Sequence, residues 1–339
     1  MIDRLRELHS AHFGELVEDV VQFKGDGSAR KIFRLQGVHH TSVGIYGENV
    51  SENRAFIGFS KTFRSRGLRV PEIFAIDEDE HFYLEEDLGD ETLFAWMHRI
   101  RAQEGFSETI IGMYRTALHE LCRFQIDAGK HIDYALCYQH GEFAHESMLF
   151  DLHYFRDMFL RNFYRGEFSD SRFDADCERL IVHLLEAPRD YFLYRDFQSR
   201  NIMVKNGELY FIDYQSGRKG ALPYDVASLL HDARADIPFP VRERLLSLYT
   251  EEARQHGDLD AERFMKYYAG FSLIRIVQAL GAFGNLGFLQ GKKHFLQSIP
   301  YAMKNLEWII EEKTMLHRLP YFSQLFETLV ADTSLRHLA

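Results

Sequence analysis

The sequence predicts an α+β fold of two lobes, with an antiparallel sheet and one helix in a small N-terminal lobe and a large, mainly helical C-terminal lobe. Three observations support this prediction. Short strand-like runs occupy the first quarter of the chain, the periodicity changes at Leu88-Gly89-Asp90, and the remainder is almost wholly helical. We place the lobes at residues 1–88 and 89–339, and we expect the hinge at Gly89 alone to join them.

The N-terminal lobe is predicted to contain two helices and five strands. Residues 1–20 form an added amphipathic helix, whose apolar face includes Leu5 and Leu16. A second helix spans residues 52–66, ends at Gly67, and follows the third strand. The strands are short runs of β-branched, aromatic and polar residues separated by Gly, Asp and Pro, at residues 20–23, 31–35, 42–46, 72–76 and 81–85.

Helical periodicity dominates the C-terminal lobe, at residues 110–125, 148–163, 176–186, 224–232 and 263–283. One segment departs from it, because residues 191–214 follow the pattern of a loop, a strand, an Asn206-Gly207 turn, a second strand and an acid. Asn-Gly between two alternating apolar runs is a strong signal for a tight hairpin. We therefore predict a β-hairpin within the helical lobe.

Composition excludes several classes of protein. With 46% hydrophobic and 27% charged residues the chain is typical of soluble globular proteins. A formal net charge of -11 argues against a general nucleic-acid binder, because affinity for the phosphate backbone requires clustered Lys and Arg. Charges interrupt the N-terminus, and no continuous apolar run reaches the length of a membrane span, so we expect no membrane partner.

Cysteine and histidine spacing does not predict a metal site. The three cysteines, Cys122, Cys137 and Cys177, show no paired close spacing, which argues against both a disulfide framework and a zinc site and favours the reducing cytoplasm. Seventeen histidines are present, but the His39-His40 pair lies in a predicted turn. His9 and His12 lack a nearby acidic third ligand. We expect surface or packed histidines.

Three residues around the predicted hairpin suggest phosphoryl transfer. Asp196 precedes Asn201 by five residues, a spacing at which a short loop can hold a carboxylate at an acceptor while the amide turns back to a metal ion. Asp213 follows the hairpin and supplies a second carboxylate. One carboxylate and one amide are sufficient protein ligands for Mg²⁺. Each residue alone is a common loop former or helix cap, but their joint order favours the functional interpretation.

A phosphate-binding turn is predicted near the start of the sheet. Gly25, Gly27 and Ser28 lie between two strand candidates, where backbone N–H groups could approach phosphates. Taken alone, the segment fits a plain hairpin turn better. Its position before the sheet and upstream of Asp196 reverses that preference.

The sequences YRDFQSRNIMV and YFIDYQSGRKGALPYDVASLLHDAR resemble the aminoglycoside phosphotransferase family of kinase-like enzymes. The resemblance is sharpest to the branch of anomeric sugar kinases of cell-wall recycling, which phosphorylate N-acetylmuramate and N-acetylglucosamine at the C1 hydroxyl. DGSARKIFRL is similar to the phosphate-loop segment of that branch, EEDLGDETL to its hinge, and GAFGNLGFLQGKKHFLQSIPYAMKNL to its C-terminal helices. The resemblance to this branch extends from about residue 26 to residue 306. It implies a protein-kinase-like fold, ATP as co-substrate and Mg²⁺ as cofactor.

The resemblance also implies roles for individual residues. Asp196 matches the catalytic base, Asn201 and Asp213 match the magnesium ligands, and Asp225 matches an acid that braces the catalytic loop. The nucleotide-binding positions are Gly25, Gly27, Ser28, Arg30, Glu86 and Leu88.

Two positions depart from the family pattern. Tyr194 stands where the family usually has the His of its His-x-Asp motif, a scaffold position that an aromatic residue with a hydroxyl can fill. The third strand, TSVGIYG, has no Lys to contact the phosphates. We expect Arg30, ahead of Lys31 or Arg34, to supply the missing charge.

The acceptor is the least determined part of the prediction. Gln215, Asp232 and Arg234 fall in segments that would face it, as do Arg275 and Gln278, although each could equally be a solvated helix residue. We expect a small-molecule substrate, an amino sugar first, and a nucleoside triphosphate as the second partner. The alternatives are a kinase for an aminoglycoside, choline-like or other small alcohol, and an inactive nucleotide-binding pseudokinase.

Overall fold

The computed structural model describes residues 1–23, 30–257, 259–312 and 315–338. Its small lobe is one five-stranded antiparallel sheet in the order β1-β2-β3-β5-β4 with a helix on each face. The elements are α1 (Ile2–Phe13), β1 (Val17–Gln22), β2 (Lys31–Gly37), β3 (Thr41–Tyr46), α2 (Val50–Ser65), β4 (Ile73–Ile76) and β5 (Phe82–Glu86). The predicted five strands and the helix after the third are confirmed.

Helix α1 is shorter than predicted. It ends at Gly14, whose φ of 72° belongs to the left-handed region that glycine adopts at helix C-termini, and β1 then begins at Val17. Leu16, predicted on the apolar face, is 78% exposed. Leu5 is buried instead, against Phe33 and other side chains of one sheet face. Helix α1 therefore covers this face of the sheet and leaves the other to α2.

Asn49 fixes the start of α2, because its side chain accepts hydrogen bonds from the backbone N–H groups of Ser51 and Glu52. The helix buries Phe56, Phe59 and Phe63 at helical spacing.

The large lobe contains eleven helices among the described residues. They are α3 (Leu93–Glu104), α4 (Glu108–Cys122), α5 (His145–Phe155), α6 (Arg161–Phe163), α7 (Asp170–Leu184), α8 (Pro223–Leu230), α9 (Phe239–His256), α10 (Ala261–Ala282), α11 (Ile299–Glu312), α12 (Pro320–Ala331) and α13 (Thr333–Arg336). Two antiparallel strand pairs lie between α7 and α8: β6 (Tyr191–Leu193) with β9 (Arg218–Gly220), and β7 (Ile202–Lys205) with β8 (Glu208–Phe211). The predicted hairpin is β7–β8.

The two lobes share a hydrophobic core. The ring of Phe63 in α2 contacts Phe124 and Phe192 of the large lobe at centroid distances of 4.7 and 5.2 Å. Phe56 stacks on Tyr214 at 4.8 Å. The lobes are therefore held together by packing as well as by the hinge, because α2 packs into the large lobe and positions the sheet over the segment after β8.

Helix α10 continues through a π-helical segment to Leu289, and Ala261–Leu289 is long and apolar enough to span a membrane by length and composition. The expectation that no segment approaches that length is thus corrected for this helix. More than half of its most apolar stretch is buried, and Phe271, Ile274 and Val277 belong to the second hydrophobic core of the large lobe. Its burial is that of a core helix.

Candidate active site

The loop after β6 carries Asp196 in a constrained backbone. Arg195 has a φ of 81°, which is uncommon for a residue with a side chain, and such strain concentrates at functional sites. Its guanidinium forms two 2.7 Å hydrogen bonds to Asp151, which is almost fully buried. This bidentate pair holds the loop so that Asp196 borders two cavities of the large lobe.

Asp225, at the start of α8, braces the same loop. Its carboxylate is fully buried and accepts hydrogen bonds from the backbone N–H groups of Tyr194 at 2.8 Å and Arg195 at 2.9 Å. It also accepts one from Gln125, whose own carbonyl accepts from the hydroxyl of Tyr249 on α9. Burial raises the pKa of Asp225 to about 7, although these three donors oppose the rise. The loop is thereby fixed to two helices.

Tyr194 connects this loop to the segment after β8. Its ring is fully buried, and its hydroxyl donates a 2.6 Å hydrogen bond to the backbone carbonyl of Ile212. Ile212 directly precedes Asp213. The Tyr194 hydroxyl thus links the loop that carries Asp196 to the segment that carries Asp213.

The β7–β8 hairpin brings Asn201 and Asp213 together. Ile202 pairs with Phe211, and the Asn206-Gly207 turn has positive φ at both residues. The Asn201 amide nitrogen donates to the Asp213 carboxylate at 3.1 Å and to the backbone carbonyl of Asp196 at 2.9 Å. The Asn201 oxygen and the partly exposed carboxylate of Asp213 are consequently available to a hard cation such as Mg²⁺.

Arg30 lies beside this pair, with only 10% of its side chain exposed. Its guanidinium is 3.0 Å from the Asp213 carboxylate and 3.5 Å from that of Glu52 on α2. Burial opposes its charge, but Tyr83, Asp213 and Glu52 together outweigh burial and raise the pKa of Arg30. Arg30 is therefore a permanent positive charge beside the Asn201–Asp213 pair.

The two other candidate cations lie elsewhere. Lys31 is exposed on β2, opposite Tyr46. Arg34 forms a bidentate pair with Asp87, at 2.7 and 2.9 Å, and also contacts Asp90. Arg34 thus neutralises carboxylates of the hinge.

The predicted hinge residues lie where the lobes meet. The Glu86 side chain pairs with Lys205 of β7 at 2.8 Å, and its backbone N–H donates to the carbonyl of Glu72. Leu88 is buried, and Gly89 follows it with a φ of 82°. Gly25, Gly27 and Ser28 lie outside the described residues.

Two cavities meet at Asp196 and Gln278. The first, of about 340 Å³, is lined by Arg200, Asn201, Asp232, Arg234 and Arg275 among others. The second, of about 440 Å³, is lined by Phe150, Asp151, Arg195 and Arg218 among others. Of the five residues predicted to face the acceptor, four line the first cavity, namely Asp232, Arg234, Arg275 and Gln278. Gln215 lines neither and instead donates a 2.9 Å hydrogen bond to Asp213.

Sequence reasoning missed Arg218 in the second cavity. Its side chain is 4% exposed and donates to the carbonyl of Ser216 at 3.0 Å and to the Gln139 side chain at 2.5 Å. Within the described ranges it forms no ion pair with a carboxylate, and burial together with the charge of Arg195 lowers its pKa. In the sequence, Arg218 is marked only as a cation shortly after Asp213. This position does not reveal that its side chain is buried.

The Asp196 carboxyl has an unusual charge environment. Burial raises its pKa above the ordinary aspartate value, and the nearby Asp213 carboxylate adds to this rise. Arg195 and Arg275 oppose it. Arg275 is buried on α10, where its guanidinium donates to Ser228 at 2.9 Å and to Gln278 at 2.6 Å. The carboxylate is thus a proton acceptor of increased basicity, adjoining both the Asn201–Asp213 pair and the cavities.

Comparison with known proteins places this geometry in context. The phosphotransferase enzyme family matches residues 19–264, more than half of the chain. An N-acetylmuramate/N-acetylglucosamine kinase from Pseudomonas aeruginosa is 26% identical over 321 residues, covering 92% of this chain and 88% of the relative. A protein of the same name from Neisseria meningitidis is 26% identical over 274 residues, covering 79% and 78%.

Solved structures share the fold. A choline kinase from Cryptosporidium parvum superposes with a TM-score of 0.63 at 12% identity, covering 98% of this chain and 99% of that chain. A thermostable mutant of the aminoglycoside phosphotransferase APH(4)-Ia superposes with a TM-score of 0.57 at 16% identity, covering 91% of this chain and 99% of that chain. The predicted two-lobed, kinase-like fold is confirmed by these similarities.

The charge environment of Asp196 yields a prediction that does not depend on function. In metal-free protein, Arg275→Gln should raise the pKa of Asp196 further because it removes a cation, whereas Asp213→Asn should lower it because it removes a like charge. Titration followed by the carboxyl ¹³C chemical shift measures both changes. Shifts of the same sign in the two variants would contradict the described arrangement.

Proposed function

Since the chain belongs to the phosphotransferase enzyme family, we propose that it transfers the γ-phosphoryl group of ATP to the anomeric hydroxyl of an N-acetylated amino sugar. The observation that carries this proposal is the position of Asp196. One side of it adjoins the Asn201–Asp213 pair, and the other borders the cavities that would hold an acceptor.

Asp196 is the proposed general base, and the fixed loop is what makes this role feasible. The hydrogen bonds of Asp225 and the Arg195–Asp151 pair hold the carboxylate at the cavity wall, where it can accept the proton of an acceptor hydroxyl. Its raised pKa brings it closer to the pH at which a general base works well. Positioning and electrostatic stabilisation account for most of phosphoryl-transfer catalysis, so little further chemistry is required of the protein.

Asn201 and Asp213 are the proposed Mg²⁺ ligands. They offer one amide oxygen and one carboxylate, which fits Mg²⁺ because this ion prefers hard oxygen ligands and retains waters and phosphate oxygens. When bound there, the ion would neutralise charge on the phosphate oxygens. Asn201 donates to the Oδ2 atom of Asp213, and Gln215 donates to its Oδ1 atom. We therefore assign Gln215 to orienting the Asp213 carboxylate rather than to contacting the acceptor.

The nucleotide is proposed to lie between the sheet and the hinge. In this proposal Glu86 and Leu88 border its base, and the predicted phosphate contacts of Gly25, Gly27 and Ser28 fall outside the described residues. Strand β3 has no Lys to contact the phosphates, and we propose that Arg30 supplies this positive charge. Of the three candidate cations, Arg30 is the one whose guanidinium lies beside Asp213. A triphosphate in a partly desolvated cleft requires such a partner. The free thiols of Cys122, Cys137 and Cys177 agree with a reducing cytoplasm, where we place the reaction.

The first cavity favours a neutral or anionic acceptor over a cationic one. Three guanidinium groups, those of Arg200, Arg234 and Arg275, line it against the carboxylates of Asp196 and Asp232. Aminoglycosides and choline-like alcohols are cations, and bringing them beside these arginines would be unfavourable. An N-acetylated sugar has no such charge. The arrangement therefore supports the amino-sugar acceptor against the two cationic alternatives.

The second cavity suggests which amino sugar is preferred. Arg218 is a buried cation at the wall of this cavity, and the described part of the chain offers it no carboxylate. A buried charge is costly unless it is paired, so a ligand carboxylate would relieve this cost. N-acetylmuramate carries a carboxylate and N-acetylglucosamine does not. We assign Arg218 to the carboxylate of an N-acetylmuramate-type acceptor.

An acceptor screen tests the proposed function directly. Purified protein with ATP and Mg²⁺ should phosphorylate N-acetylmuramate and N-acetylglucosamine but not an aminoglycoside or choline, and NMR should locate the phosphate at C1. Asp196→Asn should retain nucleotide binding and lose about 10²–10⁴-fold in turnover, because it removes the base but not the fold. Nucleotide binding without phosphorylation of any acceptor by the unaltered protein would favour a pseudokinase.

Nucleotide affinity tests the role of Arg30. Arg30→Ala should weaken ATP binding by about 10-fold or more, since a charge-assisted contact to phosphate is removed. Lys31→Ala makes the same change in net charge on the exposed side of β2 and should leave affinity nearly unchanged. Isothermal titration with Mg²⁺ present compares the two. Equal losses in both variants would remove the role from Arg30.

Acceptor kinetics test Arg218. Arg218→Gln should raise the KM for N-acetylmuramate by about 10-fold or more and change that for N-acetylglucosamine little, because only the former has a carboxylate to lose its partner. Lys219→Gln, with the same charge change on the adjacent residue of β9, is the control. A similar loss for both sugars would show that Arg218 supports the fold of the cavity instead.

A further inference from the structure

Two histidines and one glutamate converge on the large lobe outside both cavities at Asp196. Glu252 and His256 are one turn apart on α9, and His119 lies on α4, which packs against α9. The Glu252 carboxylate oxygen Oε1 is 2.9 Å from His119 Nδ1 and 3.1 Å from His256 Nε2. All three ligand atoms lie within 4.8 Å of one another.

A fourth residue orients one of these ligands. The other ring nitrogen of His256, Nδ1, is 2.7 Å from the Asp127 carboxylate. A carboxylate only accepts hydrogen bonds, so this contact keeps a proton on Nδ1. Nε2 faces the Glu252 carboxylate at 3.1 Å, so a metal ion that binds between them would take the place of the proton in that contact. A carboxylate hydrogen-bonded to the outer nitrogen of a histidine is the usual support for a metal-binding imidazole.

We propose that His119, Glu252 and His256 bind a divalent transition metal ion, best matched by Zn²⁺, with Asp127 holding His256 in the ligating orientation. Two imidazoles and a carboxylate form a donor set that zinc accepts. Zinc bond lengths of about 2.0–2.1 Å imply separations of about 3.3 Å between ligand atoms in a tetrahedron. The distances from the Glu252 oxygen to His119 Nδ1, 2.9 Å, and to His256 Nε2, 3.1 Å, are close to this value. The His119 side chain is 45% exposed, so the fourth position is open to water.

The position of the site suggests what the ion would do. It joins α4 and α9, and Asp127 belongs to the π-helical turn Arg123–Asp127 that continues α4. The same segments carry Gln125 and Tyr249, which support Asp225 through hydrogen bonds. A bound ion would therefore cross-link the elements behind the catalytic loop. Under this proposal, His119 and His256 are metal ligands and not only surface or packed residues, as the sequence had led us to expect.

Metal titration of the full chain tests the proposal without any use of activity. Chelator-treated protein is titrated with Zn²⁺ in the presence of excess Mg²⁺, and Co²⁺ is used separately for its visible absorption. One equivalent of Zn²⁺ should bind, Co²⁺ should give a four-coordinate spectrum, and Zn²⁺ should raise the thermal midpoint. His119→Gln and His256→Gln should each abolish this binding, and Asp127→Asn should weaken it about 10-fold to 100-fold.

Two further variants separate this site from other sources of binding. His145→Gln is the matched control, since His145 is also a surface histidine paired with a glutamate, Glu178, but lies outside the cluster. Asp213→Asn removes the carboxylate of the Asn201–Asp213 pair. Both should retain the full equivalent of Zn²⁺. Unchanged stoichiometry in the His119 and His256 variants, or its loss in Asp213→Asn, would overturn the proposal. Circular dichroism of the metal-free variants verifies that each one folds.

Discussion

The buried carboxylate of Asp225 is the contact on which the rest of the site depends. It accepts hydrogen bonds from two successive backbone N–H groups of the loop before Asp196. The Gln125 side chain donates a third hydrogen bond to it, and the Tyr249 hydroxyl in turn donates to Gln125. A buried acid without these donors would be costly. Because the donors come from the loop and from the helical segments behind it, the stability of the large lobe and the position of Asp196 are set together.

Charge is arranged locally in a protein that is acidic overall. The net charge of -11 provides no diffuse positive field, so each cation in the cleft has a specific place. Arg30 faces Asp213, Arg34 is used by the hinge carboxylates, and Arg195 is paired with Asp151. Arg218 differs from these three, because its hydrogen-bond acceptors among the described residues are neutral, the Ser216 carbonyl and the Gln139 side chain. This difference is why we connect it with a charged ligand and the others with the protein's own acids.

The shared core gives the two lobes a defined relation. Phe56 and Phe63 of α2 pack on Tyr214, Phe124 and Phe192, so the helix that carries Glu52 is positioned by the same aromatic cluster that holds the residue after Asp213. Arg30 therefore meets both Glu52 and Asp213. Close-packed aromatic interiors resist displacement, and the ion pairs of the cleft depend on that rigidity.

Features with local signals could be predicted from the residues alone: the five strands with a helix after the third, the Asn206-Gly207 hairpin and the spacing of Asp196 and Asn201. Periodicity and turn chemistry act between near neighbours, so a short stretch of chain is enough to reveal them. The folded chain was needed to show that Arg30 rather than Arg34 faces Asp213, that Gln215 holds Asp213, that Arg218 is buried, and that His119 meets His256. Most of these contacts join residues far apart in the chain, and all depend on how separate elements pack, which no local pattern records.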